Sequence, residues 1–196
     1  MKPAIKVLGV PDDINSSFLR GSSAAPPLIR EALYSASSNL FSESGLNLDQ
    51  KGIWEDLGDI EFTGEVAVEN FKKIKTFVKD VLVSDQKLVS LGGDHSVSWP
   101  ILDAHLDKWD ALDILHIDAH PDLYDSLLGN KLSHASPFAR IMETGRASRL
   151  VQVGIRTLNK HQREQAEKFG VEIYQMKDLT KLNSLSFSKP VYCSID

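Results

Sequence analysis

The chain has 196 residues, 42% of them hydrophobic and 25% charged, with a formal net charge of -5 at pH 7. That composition is globular and long enough to bury one sizeable core. An acidic balance with no basic stripe gives a nucleic-acid partner no electrostatic footing, and no apolar run reaches the roughly 18 residues of a membrane span. A single domain over residues 1–196, cytoplasmic and binding a small molecule, is the expectation, since the N-terminus reads as a strand and not as a signal or transit peptide.

In chain order, the aliphatic run at residues 5–8 predicts a strand, and the Pro26-Pro27 start predicts a helix over 27–36. The Ser-, Asn-, Gly- and Asp-bearing stretch 39–61 reads as a surface connection, with room for a short strand at 52–55. Helical spacing follows at 66–82, a strand at 88–91, a helix at 97–105 and a strand at 112–117. The rest alternates likewise: helix 136–143, strand 150–153, helix 160–169, then strands 171–174 and 191–195. Strands that are nearly continuous apolar runs, alternating with helices, predict a mostly parallel α/β sheet covered on both faces. The single cysteine, Cys193, sits in such a run and is expected to be a small buried hydrophobe. His105 and His161, in polar helical stretches, are expected at the surface.

Ligands of open α/β sheets collect at the carboxyl ends of the strands. Three predicted strands end in polar clusters: Gly92-Gly93-Asp94-His95-Ser96, Asp118-Ala119-His120-Pro121-Asp122 and Ser194-Ile195-Asp196. The i, i+2, i+4 spacing of Asp118, His120 and Asp122 points all three to one side in extended backbone. Crowded carboxylates repel one another unless a cation sits among them. Two glycines allow the tight backbone that swings His95 over the strand ends, with Asp94 placed to orient a neighbour. A donor set richer in carboxylate than imidazole, with no thiolate beyond Cys193, suits Mn²⁺. Two divalent ions there would make water nucleophilic, so hydrolysis is the inferred reaction. His134, just ahead of a helix and downstream of the cluster, is a candidate proton carrier, while His116 is expected to face away as a core histidine.

These residues resemble the ureohydrolase family of arginases, agmatinases and related guanidino hydrolases. The likeness also covers Gly9-Val10-Pro11, Ala25-Pro26-Pro27-Leu28-Ile29-Arg30 and Asp56-Leu57-Gly58-Asp59. It implies a three-layer α/β/α sandwich holding two Mn²⁺ ions on His95, Asp118, His120, Asp122 and Asp196. It further implies a metal-bridging hydroxide attacking the guanidinium carbon, with His134 relaying a proton. Agmatine would give putrescine, or L-arginine ornithine, with urea in either case, and the full-length protein would be a trimer or hexamer.

Ala135 after the histidine is similar to the branch that holds plant-type arginases. Tyr124 stands where animal arginases carry an asparagine that contacts the amino-acid head of arginine. The family's third motif places another aspartate two positions after the residue matching Asp196, so the resemblance implies a C-terminally truncated form. That leaves two rival expectations: a silent metal-binding or assembly subunit, and a hydrolase of a formimino or other guanidino group on the same fold.

Overall fold

The computed structural model describes residues 4–84 and 86–196. Strand β1 (Ile5–Val10) lies between β2 (Trp54–Asp59) and β3 (Lys87–Gly92), with both pairings parallel. A second parallel sheet has the order β6-β5-β4-β7, from β4 (Asp113–Ile117), β5 (Arg149–Ile155), β6 (Glu172–Gln175) and β7 (Val191–Ile195). The helices α1 (Ala25–Leu33), α2 (Ala67–Leu82), α3 (Ser98–Lys108), α4 (Pro137–Glu143) and α5 (Lys160–Phe169) connect the strands. Each predicted strand and helix forms in its predicted place, α5 and β7 with the predicted ends and the others with shifted ones, and β2 begins inside the short strand suggested at 52–55. The first helix begins earlier than its prolines suggest. Asp13 accepts hydrogen bonds from the Gly21 and Ser23 amides, and the resulting 3₁₀ turn (Ser22–Ala24) leads directly into α1.

The period-two alternation of strands explains the layering. Even-numbered Leu8, Val10 and Leu88 pack with Phe71, Ile74 and Val78 of α2 and Ile101 of α3. Odd-numbered Ile5, Val7, Val89 and Leu91 share a groove with Ile29 and Leu33 of α1. Helices therefore cover both faces of the first sheet. Arg30 anchors α1 by a 2.7 Å bond from Nε to Asp56 Oδ2 and a second ion pair with Asp59. On the second sheet, Ile114 and Leu150 pack under Leu102 and Leu106 of α3, Phe138 and Ile141 of α4 and Ala166 of α5.

Every strand pairing is parallel, as expected, and among the described residues β3 and β7 do not pair; their edges line a cleft of about 340 Å³ that Ile101 also lines. Two residues depart from expectation. Cys193 is exposed, because it projects from the less covered face of the second sheet, the face on which Ile195 is 75% exposed. His105 is buried, where its Nδ1 donates to the Ile101 carbonyl at 2.8 Å and its ring stacks on Trp109. The i, i−4 bond removes the cost of burying one imidazole nitrogen.

One tight turn is poorly matched to its sequence. Leu127 and Asn130 exchange backbone hydrogen bonds across Leu128 (φ 53°) and Gly129 (φ 80°), the positive-φ pair of a type I′ turn. Leu128 is 88% exposed, so its side chain gains no packing in return. Leu128→Asn, creating the Asn-Gly pair such turns favour, should stabilise the chain by about 1 kcal/mol. Urea denaturation would show this as a higher midpoint at unchanged slope.

Candidate metal centre

The site forms where β3, β4 and β7 end. A side chain at Gly93 would fall on the Asp12 backbone, whose carbonyl accepts the Asp94 amide at 2.9 Å. Asp94 in turn accepts from the Ser96 amide at 2.9 Å, from the Ser96 hydroxyl and from Ser16 Oγ at 3.2 Å. This caps the short turn His95–Val97 and tips the His95 ring, buried, over the ends of β4 and β7. The predicted bend thus depends on glycine for close approach of the 10–16 loop.

His95 Nδ1 faces three carboxylates: Asp122 Oδ2 at 2.7 Å, Asp196 Oδ2 at 3.3 Å and Asp118 Oδ2 at 3.5 Å. Its other nitrogen, Nε2, is 2.9 Å from Ser194 Oγ. Ligand atoms of His95, Asp118, Asp122 and Asp196 all lie within 4.8 Å of one another. Asp122 reaches the group with φ at 47°, a left-handed conformation that aspartate tolerates better than most residues. The strand ends at Ile117 and the chain bends, so the predicted i, i+2, i+4 projection does not hold through all three residues. His120 pays for that bend. It is 62% exposed with Nδ1 3.5 Å from Asp118 Oδ1, and it is not among the four gathered residues.

His116 does not face away. It is fully buried and its Nε2 lies 3.0 Å from Asp118 Oδ2. Residues 116 and 118 share parity, so period-two alternation puts them on the same side. Gln152 Nε2 donates to the Pro121 carbonyl at 2.6 Å and lies 3.1 Å from His116 Nδ1. Because that carbonyl can only accept, the amide orientation is set, His116 Nδ1 accepts, and its Nε2–H points at Asp118. Strand register makes the row: His116 is paired with Gln152 of β5 and Ser194 of β7. Ser194 and His116 could have been found by their parity with Asp196 and Asp118, whereas nothing local marks Gln152.

Burial opposes a charge on His95, but hydrogen bonds to Asp118 and Asp122, with the charges of Asp122 and Asp196, push its pKa up to about 10. Burial likewise works to raise Asp118, yet hydrogen bonds from His116, His95 and the His120 amide hold it well below the usual carboxylate range. Burial lowers His116, keeping it neutral. Without metal, an imidazolium occupies the middle of an anionic cluster, the place a cation suits. The donors fit a hard divalent ion: an imidazole held by Ser194 and three carboxylates, one of which, Asp118, is oriented by His116.

The sign of the pH effect follows from the raised His95. Its contribution to metal-free stability is complete below its ordinary 6.5 and is lost as pH rises through about 10. The Asp118 contribution is present above 3.8 and is lost as pH falls below it. Thermal unfolding in chelator should therefore show a midpoint that declines between about pH 6.5 and about pH 10. A divalent cation held by these residues would oppose the decline, since it would take the place of the His95 proton and bind better as pH rises.

His134 is half-buried, and its Nδ1 lies 3.1 Å from the Asn15 carbonyl. The 125–131 loop leading to it is held by Arg140, which donates to the Asp125 carbonyl at 2.8 Å and to Glu143 at 2.7 Å. Tyr124 is turned toward α5, where its hydroxyl accepts from Asn159 at 2.6 Å and its ring stacks on His161, exposed as expected.

The sequence pattern of the Arginase family matches residues 3–196. The chain belongs to the arginase family. It is 46% identical to arginase 1, mitochondrial, of Oryza sativa subsp. indica, with 100% of this chain aligned to 62% of that protein. It is 34% identical to N(1)-aminopropylagmatine ureohydrolase of Thermus thermophilus, with 98% of this chain aligned to 66% of the relative. Among solved structures, the arginase of Medicago truncatula superposes with a TM-score of 0.86 at 44% identity, covering 92% of this chain and 59% of that one. Agmatine ureohydrolase of Thermoplasma volcanium gives 0.84 at 26%, covering 99% and 67%. This arginase-family chain spans about three fifths of the length of the plant arginases it matches. Its parallel-sheet α/β architecture is theirs, and no helix among the described residues is long and apolar enough to cross a membrane.

Proposed function

We propose that this chain carries the metal centre of a manganese-dependent ureohydrolase that cleaves a guanidino group to urea and an amine. The observation that carries the reading is the convergence of His95, Asp118, Asp122 and Asp196 from three strand ends. The metal residues are these four and His120, which stands beside Asp118. Two manganese ions held there would supply a water made nucleophilic near neutral pH.

The protein's own groups do the rest. Ser194 and His116 keep His95 and Asp118 aimed at the centre. Asp122 adds the carboxylate nearest to His95, and His134 accepts a proton from solvent on Nε2 and passes it from there to the departing amine. The 46% identity to rice arginase, against 34% to the aminopropylagmatine enzyme, supports L-arginine as the first substrate to try, with agmatine next. A homo-oligomer and a cytoplasmic location belong to the same reading, although the rice relative is named mitochondrial.

Manganese stoichiometry and urea release, measured with L-arginine, agmatine and formiminoglutamate, test it. Two ions with urea from a guanidino compound is the expected result. Two ions without turnover of any of the three would identify a silent metal-binding subunit, and turnover of formiminoglutamate alone would move the chain to formimino hydrolysis.

A further inference from the structure

Asn15 lies in the loop after β1, in none of the clusters that mark the metal centre, yet its buried side chain ties three parts of the site together. Its Nδ2 donates to Ser96 Oγ at 3.3 Å, next to His95, and its Oδ1 accepts from Asn130 Nδ2 at 3.2 Å, in the loop that leads to His134. Its backbone carbonyl lies 3.1 Å from His134 Nδ1 and also accepts the His134 backbone amide at 3.5 Å. We propose that Asn15 is a positioning residue that fixes His134 in its Nδ1–H form, leaving Nε2 as the nitrogen with the free lone pair.

A carbonyl can only accept, so the neutral imidazole must carry its proton on Nδ1. Nε2 makes no hydrogen bond among the described residues. A main-chain carbonyl holds a ring in place only if its own peptide is immobile. Here the two side-chain bonds of Asn15 brace that peptide between the turn bearing His95 and the loop 127–130. The value of this brace to turnover rests on the reading of His134 as proton carrier, whereas the tautomer itself does not.

The test is two-bond ¹H–¹⁵N NMR of the histidine rings in the ¹⁵N-labelled chain, without paramagnetic manganese and again with magnesium, at a pH where free imidazoles are neutral. His134 is assigned by the signals lost in His134→Gln. In the unmodified chain its Nδ1 should resonate as protonated and its Nε2 as unprotonated. In Asn15→Ala both nitrogens should move toward the averaged positions of exchanging tautomers, while the His116 signals stay in place and report an intact core. Should Asn15→Ala fail to fold, Asn130→Ala removes one brace and should produce the same movement at smaller size. A His134 ring protonated on Nε2 in the unmodified chain, or one that keeps a fixed Nδ1–H form in the folded variants, overturns the proposal. In turnover, Asn15→Ala should lower kcat by about tenfold or more at unchanged KM and manganese content, a part of the roughly hundredfold that a placed proton carrier contributes. Unchanged urea release in His134→Gln would remove the proton-carrier reading and leave the tautomer result to decide on Asn15.

Discussion

Asp122→Asn should reduce urea release by roughly a thousandfold, about 4 kcal/mol of transition-state stabilisation at 1.36 kcal/mol per tenfold. Asparagine keeps the shape but exchanges an anionic oxygen for a neutral amide. The carboxylate 2.7 Å from His95 Nδ1 is then gone, and with it one of the three anionic groups that favour a cation in the cluster. Metal content measured after dialysis should fall below that of the unmodified chain. The same substitution removes one of the groups that raise His95, so the alkaline loss of metal-free stability should move to lower pH. Unaltered manganese binding and turnover in Asp122→Asn would contradict both the ligand assignment and the proposed reaction.

Gly93→Ala should cost about 3 kcal/mol, which for a chain of this length lowers the unfolding midpoint by roughly 6 to 12 °C. The added methyl would meet the carbonyl oxygen, carbonyl carbon and nitrogen of Asp12 at once. Backbone cannot rotate aside as a flexible side chain can. The 10–16 loop would have to lift, taking Ser16 from Asp94 and Asn15 from Ser96. Gly64 is the control, because a Cβ there meets nothing within 4 Å and its backbone is not left-handed. Gly64→Ala should stay within about 0.5 kcal/mol of the unmodified chain. Equal melting behaviour of the two variants would show that the loop yields freely.

The two substitutions divide along a line that runs through the whole molecule. Strand and helix positions were legible because burial imposes a period on the residues of each element, and α5 and β7 fall where the pattern puts them. The parallel arrangement followed from apolar runs alternating with helices. Asp118, Asp122, His95 and Asp196 were legible as a group because acidic and imidazole side chains at strand ends share one edge of a parallel sheet. Gly92-Gly93 announced a tight approach, though not that Asp12 is what approaches.

What sequence could not contain was the partner of each group across the fold. His120 carries the right side chain at the right spacing, but the bend after Ile117 leaves it outside the gathered four. Gln152 looks like any polar residue in a strand until register sets it beside His116. His105 sits in a polar stretch, and only its bond to Ile101 and its stacking on Trp109 make its burial tolerable. The sequence by itself determined the elements, their alternation and the chemical kind of site, since these depend on local periodicity and residue type. The tertiary structure alone decided which side chains meet, their tautomers and their charge, because those depend on distances between residues far apart in the chain, such as Asn15 and His134.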